Sequence, residues 1–426
     1  MGTEKNATEP SASIEPSASK EPSASKEPSA NEEPLATEPL ETEQAWTDED
    51  EHAILDTIDK WVKTDVAPIA REHDQEDKYP HELVEQMKEL GLFGATISAD
   101  YGGLGLPAAT YAKIVTKVAS VWMAPSGIFN SHLIMASAIE RCGTDEQKAE
   151  WLPAMASGEL RGGIALTEPN AGTDLQAIKT RAKKNNAGYV LNGTKTWITN
   201  SLHGNCLMVL AKTDTEAKPR HKGMSAFLCK KDEGYEVSKK LTKLGYRSID
   251  SCELVLDSRQ ISHDSLLGDI EGNGLQQVLG GLELGRINVA ARGAGIAEGA
   301  LKMATHYAQQ RTTFGKSISE HQAIQLKLGE MAAKVEASKL LIKDAAIRFD
   351  QGQRCDMEAG MAKYFASETG LFCSQEAMRI FGGYSYSTEY EIERFYRDAM
   401  LMCIGEGTNE MQRIIIAKQY IDRNRV

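Results

Sequence analysis

The sequence predicts a mostly α-helical chain with a β domain at its centre, and the hydrophobic pattern of three stretches carries that expectation. Apolar residues recur at helical spacing from Trp46 to about residue 160. They alternate with polar ones between about 160 and 275, and return to helical spacing from about 280 to the end. Strands that do not alternate with helices count against a doubly wound nucleotide-binding sheet. The chain is accordingly read as a leader over 1–45, a helical domain over 46–160, a β domain over 161–275 and a helical bundle over 276–426.

The leader is rich in Pro, Ser, Ala and Glu. Pro10, Pro16, Pro22, Pro28 and Pro34 recur every six residues, and Trp46 is the first aromatic residue of the chain. With ten acids and three lysines it carries −7 of the total charge of −13. Lacking apolar groups to offset the ordering entropy, it is expected to be disordered. The first arginine is Arg71 and no apolar h-region exists, so neither a mitochondrial presequence nor a secretory signal is expected, and the protein is expected to be cytoplasmic.

In the helical domain, Thr47-Asp48-Glu49-Asp50 reads as a capping box ahead of Ile54, Ile58, Trp61 and Val62. Pro80 is expected to open a second helix and Gly91 to close it. In the β domain, Tyr189-Val190-Leu191, Asn192-Gly193 and Thr194 to Trp197 read as a hairpin on a type I′ turn. Apolar runs at 206–211, 224–229 and 252–256 read as further strands. In the bundle, Ile324, Leu328, Met331, Val335, Ser338, Ile342, Ala345 and Phe349 step by four and three, the seam of a long helix.

The 426 residues are 41% hydrophobic and 26% charged, enough for a substantial core. The acidic balance argues against nucleic acid or an anionic membrane as partner. No apolar run approaches the length of a membrane span. The seven cysteines are scattered and never spaced C-x-x-C, and the nine histidines show no H-x-x-x-H. Neither a disulfide framework nor a metal site is expected, and a reducing compartment is. P-loop and G-x-S-x-G patterns are absent. Gly293-Ala294-Gly295 lies in a helical run with no strand before it, and reads as close helix packing.

Three stretches suggest chemistry. Leu166-Thr167-Glu168-Pro169-Asn170-Ala171-Gly172-Thr173-Asp174 offers hydroxyls and backbone N–H groups between strands. Thr196-Trp197-Ile198-Thr199-Asn200 places Trp197 and Thr199 at alternate positions, hence on one strand face, although a lone strand Trp is ordinarily core. Ile404-Gly405-Glu406-Gly407-Thr408-Asn409-Glu410 sets a carboxylate between glycines just before a helix. Taken alone, that last loop reads as a solvated turn.

Taken in order on this helix–β–helix frame, these stretches change the reading. From Trp46 to Val426 the sequence resembles the acyl-CoA dehydrogenase family, and in particular its short- and branched-chain members. The resemblance rests on Tyr101-Gly102-Gly103-Leu104-Gly105, the T-E-P-x-A-G-[ST]-D loop, W-I-T-N, Arg311-Thr312-Thr313-Phe314-Gly315, Phe381-Gly382-Gly383, Arg394-Phe395-Tyr396-Arg397-Asp398 and Glu406-Gly407-Thr408. It implies an N-terminal helical domain, a barrel-like β domain and a C-terminal four-helix bundle. It also implies a homotetramer that uses FAD to desaturate an acyl-CoA and passes electrons to electron-transfer flavoprotein.

By the same resemblance Glu406 is the α-proton base. Some relatives carry that base on a bundle helix, where this chain has Gly285 before Arg286. Ile164, Leu166, Thr167, Gly172, Thr173, Trp197, Thr199, Thr408 and Glu410 are implied flavin contacts. Arg311, Thr313, Phe314, Gln322, Arg379 and Gly383 are implied to hold the adenine half across a subunit interface, with Arg379 in place of the family's common glutamine. Glu283, Arg286, Gly407 and Thr173 are implied substrate contacts.

Many relatives have a Tyr where this chain has Gly405, and an acidic pair where it has Thr116 and Lys117. Gly405 is expected to open space near the thioester and Trp122 to close the deep end, favouring short or branched acyl groups. The bland alternative keeps Trp122 in the core and Lys117 in solvent. Two other functional classes share the fold: an oxidase or flavin monooxygenase, and an acyl-CoA-binding scaffold without catalysis. Glu406 argues against the monooxygenase, the chain length against the long oxidases, and the base together with the flavin loop against the scaffold.

Overall fold

Thr47 caps the first helix through the reciprocal pair its sequence predicts. The Asp50 N–H donates to Thr47 Oγ1 at 3.2 Å, and the Thr47 N–H donates to Asp50 Oδ2 at 3.0 Å. The computed structural model describes residues 46–232 and 234–425, and the leader expected over 1–45 lies outside the described residues. Helix α1 (Asp48–Trp61) continues through a π turn at Val62–Val66 into α2 (Ala67–Glu76). Then come α3 (His81–Glu89), after Pro80 and before the left-handed Gly91, and α4 (Ala108–Ala119), α5 (Met123–Cys142) and α6 (Asp145–Ala156).

The β domain comprises β1 (Ile164–Ala165), β2 (Arg181–Asn185), β3 (Gly188–Thr199), β4 (Cys206–Lys212), β5 (Met224–Lys230), β6 (Tyr235–Lys240) and β7 (Ser251–Ile261). Among the described residues they form one seven-stranded sheet in the order β1-β4-β2-β3-β7-β6, with β5 on β4. The sheet packs its own core, in which Leu191, Ile198, Leu207, Val209, Phe227 and Leu254 are all buried.

The expected hairpin at Asn192-Gly193 is corrected. Both residues lie inside the continuous strand β3, at a register shift against β7 between Leu191 and Gly193. A Cβ on Gly193 would stand 2.3 Å from Thr180 Oγ1, so close approach of the segment leading into β2, not a chain reversal, requires the glycine. The reversal falls earlier, where Asn185 of β2 pairs with Gly188 of β3.

The C-terminal part begins with α7 (Gly274–Gln310) and the short hairpin β8 (Thr312–Thr313) and β9 (Lys316–Ser317). It continues with α8 (Gln322–Asp350), α9 (Asp356–Phe381), α10 (Ile392–Ile404) and α11 (Asn409–Arg423). The predicted seam of α8 is its inner face: Met331, Val335, Ser338, Ile342 and Ala345 are buried. Helices α7 and α9 touch backbone to backbone. A Cβ on Gly293 would lie 2.7 Å from the Ala366 carbonyl oxygen, and one on Gly370 would lie 2.8 Å from that of Gly293. Gly293→Val should therefore destabilise the protein by about 1–3 kcal/mol through overpacking, read as a lowered melting temperature. No helix of the described residues is long and apolar enough to cross a membrane.

Candidate active site

Glu406 sits in the turn between α10 and α11 with a left-handed φ of 52°, followed by Gly407 at 85°. A non-glycine residue there carries backbone strain of about 1–3 kcal/mol, which persists only where surroundings over-determine it. The surroundings do so from below. Buried Lys363 of α9 donates to the Gly407 carbonyl at 2.8 Å and to Asn409 Oδ1 at 2.9 Å. Thr408 caps α11 by accepting the Met411 N–H.

The Glu406 side chain is 23% exposed. Its Oε1 accepts from Asn130 Nδ2 of α5 at 2.9 Å and from Arg292 Nη2 of α7 at 3.0 Å, while its buried Oε2 has no partner. Burial pushes the carboxyl above its ordinary value, against the opposing pull of Arg292, Lys363 and Asn130. Gly285 lies beside that free oxygen: a Cβ there would be 2.7 Å from Glu406 Oε2. A side chain at position 285 would therefore point at the spot that the Glu406 carboxylate occupies.

Helix α5 ties this corner to the β domain. Two residues before Asn130, the Ile128 carbonyl accepts from Asn200 Nδ2 at 2.8 Å, and the same amide donates to Gly162. Asn200 ends the W-I-T-N stretch. Just before it, β3 shifts register between Lys195 and Ile198, and Trp197 takes a φ of 63°. The bulge leaves Lys195 and Thr196 buried in succession, after which burial alternates again, with Ile198 buried between the more open Trp197 and Thr199. It turns Trp197 outward to 58% exposure, so this Trp is not core. Thr199 closes the strand, half-buried.

The loop beside the bulge is braced by a buried ion pair. Lys195 Nζ donates to Glu168 Oε1 and to the Leu166 carbonyl, each at 2.9 Å, and the N–H groups of Lys179 and Thr180 donate to the same carboxylate. Burial brings Lys195 down to about 8. It also works to raise Glu168, but Lys195 and the N–H donors outweigh it and hold that carboxyl below its ordinary value. The Thr196 N–H donates to the Thr167 carbonyl at 2.9 Å, and Glu168 and Ala171 close the tight turn between them. Ile164 in β1, Leu166, Thr167, Gly172 and Thr173 therefore stand on a rigid ledge next to Trp197, with Gly172 and Thr173 exposed. Glu410, exposed in the first turn of α11, pairs with Arg413.

The second group of expected residues gathers elsewhere. Phe314 and Gly315 form the positive-φ turn of the β8–β9 hairpin, and Phe314 is 96% exposed. Thr313 lies at 3.4 Å from His321, Gln322 is exposed at the start of α8, and Arg311 covers the ring of Tyr384, next to Gly383. Arg379 is paired with Glu376 at 2.7 Å. No hydrogen bond, ion pair or ring contact among the described residues joins this group to Glu406.

On α7, Glu283 is half-buried beside Asp356; burial first and then that second carboxyl push it up to about 8. Arg286 keeps a buried, unpartnered Nε. Trp122 is core, edge-on to His73, and Lys117 pairs with Asp59, so the expectation that Trp122 plugs the acyl pocket has no contact to support it. Sequence reasoning passed over Asn130, Arg292, Lys363 and the Lys195–Glu168 pair. One signal was available, since Arg292 is the lone charge in the run from Ile287 to Ala297.

Family models for the acyl-CoA dehydrogenase N-terminal, middle and C-terminal domains match residues 48–159, 163–258 and 272–421. An acyl-CoA dehydrogenase of Bacillus subtilis is 38% identical over 84% of this chain and 94% of its own length. A (2S)-methylsuccinyl-CoA dehydrogenase of Cereibacter sphaeroides is 35% identical over 88% of this chain and 70% of its own. The structure of butyryl-CoA dehydrogenase from Megasphaera elsdenii superposes with a TM-score of 0.85 at 34% identity, covering 89% of this chain and 99% of that one. All three domain models match in order on a helix–sheet–helix frame that a solved member shares, and the chain belongs to the acyl-CoA dehydrogenase family of flavoprotein oxidoreductases acting on CH–CH bonds.

Proposed function

We propose that the protein uses FAD to oxidise a short acyl-CoA thioester to the trans-2-enoyl-CoA, with Glu406 taking the α proton. One observation carries the reading: a partly buried carboxylate beside Gly285 whose buried Oε2 has no partner and whose pKa desolvation raises. A base so placed has a free lone pair for a carbon acid and enough basicity to use it. Its position is over-determined by Asn130, Arg292 and the Lys363 anchor under the turn.

The residues present fit a flavin. The ledge of Ile164, Leu166, Thr167, Gly172 and Thr173 offers hydroxyls and open backbone, and the bulge presents the exposed face of Trp197 beside it. Thr199, Thr408 and Glu410 complete that half of the site. When bound there, FAD supplies the acceptor for the β hydrogen. Arg311, Thr313, Phe314, Gln322, Arg379 and Gly383 serve the adenine half from a neighbouring subunit of a homotetramer; the separate cluster and the bare Phe314 support that placement. Arg379 contributes there only after leaving Glu376. Glu283 and Arg286 face the CoA side, where burial raises the Glu283 carboxyl, and the Thr173 and Gly407 backbones lie near the thioester. Electron-transfer flavoprotein is the electron acceptor.

Anaerobic titration of the yellow protein with acyl-CoA thioesters is expected to bleach the flavin. Reoxidation is expected to be slow in air and fast with electron-transfer flavoprotein. Rapid reoxidation by oxygen alone would favour an oxidase, and no bleaching with any thioester would end this reading.

A further inference from the structure

The face of α7 that meets Glu406 is polar beyond the point of contact. Gly285, Asn288 and Arg292 follow one another by three and then four residues, which puts them on one helix face. Gly285 lies flat against Glu406. Asn288 and Arg292, further along, are both buried, as are Tyr111, Tyr246 and Asn130 around them. Beside Gly285 the wall is aliphatic, since a Cβ there would stand 2.9 Å from Ile134 Cδ1, but further along the helix it turns polar at Asn288 and Arg292.

The polar groups are incompletely satisfied. Arg292 gives Nη2 to Glu406 at 3.0 Å and reaches Tyr246 with Nη1 at only 3.4 Å, and its buried Nε has no partner. Asn288 Nδ2 donates to the Tyr111 hydroxyl at 2.7 Å. Tyr111 and Tyr246 each accept a bond on oxygen, yet neither phenol hydrogen meets an acceptor among the described residues. Burial keeps both phenols protonated. An unmade bond of this kind in the interior is costly, and a ligand acceptor would relieve it. Three donors, one of them the guanidinium that bonds the base and the other two the phenols beside Asn288 and Arg292, therefore lie in this corner without a common acceptor.

We propose that Arg292, with Tyr111 and Tyr246, forms a carboxylate subsite in the acyl pocket, and that the substrate is the mono-CoA thioester of a short dicarboxylic acid. This rests on the reading of Glu406 as the α-proton base. Because Arg292 Nη2 is 3.0 Å from the oxygen of that base, the distal carboxylate lies within a few bonds of the α carbon, which describes roughly a four- or five-carbon diacid. A carboxylate on Arg292 also draws the guanidinium away from Glu406. The base then loses its chief charge partner and becomes more basic, and a neutral acyl group cannot produce that effect.

The test compares succinyl-, methylsuccinyl- and glutaryl-CoA with butyryl- and isobutyryl-CoA on the holoenzyme, by anaerobic flavin bleaching and by calorimetric Kd. The wild type is expected to prefer the dicarboxylic thioesters in kcat/KM by about ten- to a hundredfold, the value of one charge-assisted hydrogen bond. Arg292→Gln is expected to lower that ratio by a similar factor, with the Kd values following. If the variant does not fold, the wild-type ratio decides alone. A wild type that bleaches with butyryl-CoA as well as or better than with the diacid thioesters overturns the subsite and leaves the dehydrogenase reading standing. So does a variant that loses both substrate classes equally, which would mean that Arg292 acts only through Glu406. A protein that no thioester bleaches overturns the dehydrogenase reading itself.

Discussion

Glu406→Gln is expected to fold and to hold its flavin while slowing flavin bleaching by substrate roughly a hundred- to ten-thousand-fold. The amide can still accept from Asn130 and Arg292, so the turn keeps its anchors, but it cannot accept the α proton. The pH dependence carries the same signature. Burial raises the Glu406 carboxyl and Arg292 opposes the rise, so the ionised base is populated only as pH climbs through a value above the ordinary carboxylate range. The wild-type bleaching rate should increase with pH across that range, and the Gln variant should lose that limb. A Gln variant that bleaches at near wild-type rate removes Glu406 from the role.

Lys195→Met is the substitution expected to harm the scaffold most. Lys195 is fully buried and its ammonium is the charge partner of Glu168. Removing it leaves a carboxylate in the protein interior, at a cost of about 3–5 kcal/mol near neutral pH. The sign of the pH dependence also changes. With Lys195 present, Glu168 is held low and its contribution is lost as pH falls. Without it, burial lifts the folded-state pKa, so the variant should gain stability as the solution is acidified toward that value and lose it as pH rises. Thermal melts across pH check this, and flavin content reports whether the 164–173 ledge survives. Adding Glu168→Gln should restore part of the loss. A Lys195→Met protein that melts with the wild type would show that the pair does not brace the ledge.

Much of the fold was legible because it is written locally. Thr47 and Asp50 are three residues apart and make their capping box whatever follows, and the seam of α8 needs only its own period. The strands β2 and β6 escaped notice because Arg181-Ala182-Lys183-Lys184-Asn185 exposes most of its length to solvent, Tyr235–Lys240 has no fully buried residue, and both carry little apolar alternation. Asn192-Gly193 has the composition of a turn and of a bulge alike, and the nearness of Thr180 decides between them. The candidate site divides in the same way. Glycines on either side of Glu406 mark a loop that can approach a ligand, and the T-E-P and W-I-T-N stretches mark themselves. Asn130, by contrast, meets Glu406 across 276 positions of sequence and Arg292 across 114. Lys195 and Lys363 look like surface lysines until packing buries them.

The most direct test of the account is an anaerobic single-turnover measurement with an acyl-CoA deuterated at the α carbon, made on the wild type and on Glu406→Gln. Wild-type bleaching should slow several-fold relative to the unlabelled thioester, because breaking the α C–H bond to Glu406 is part of the step observed, and Glu406→Gln should bleach with neither isotopomer on that timescale. Equal wild-type rates for the two isotopomers, alongside a Gln variant that bleaches as fast as the wild type, would contradict it.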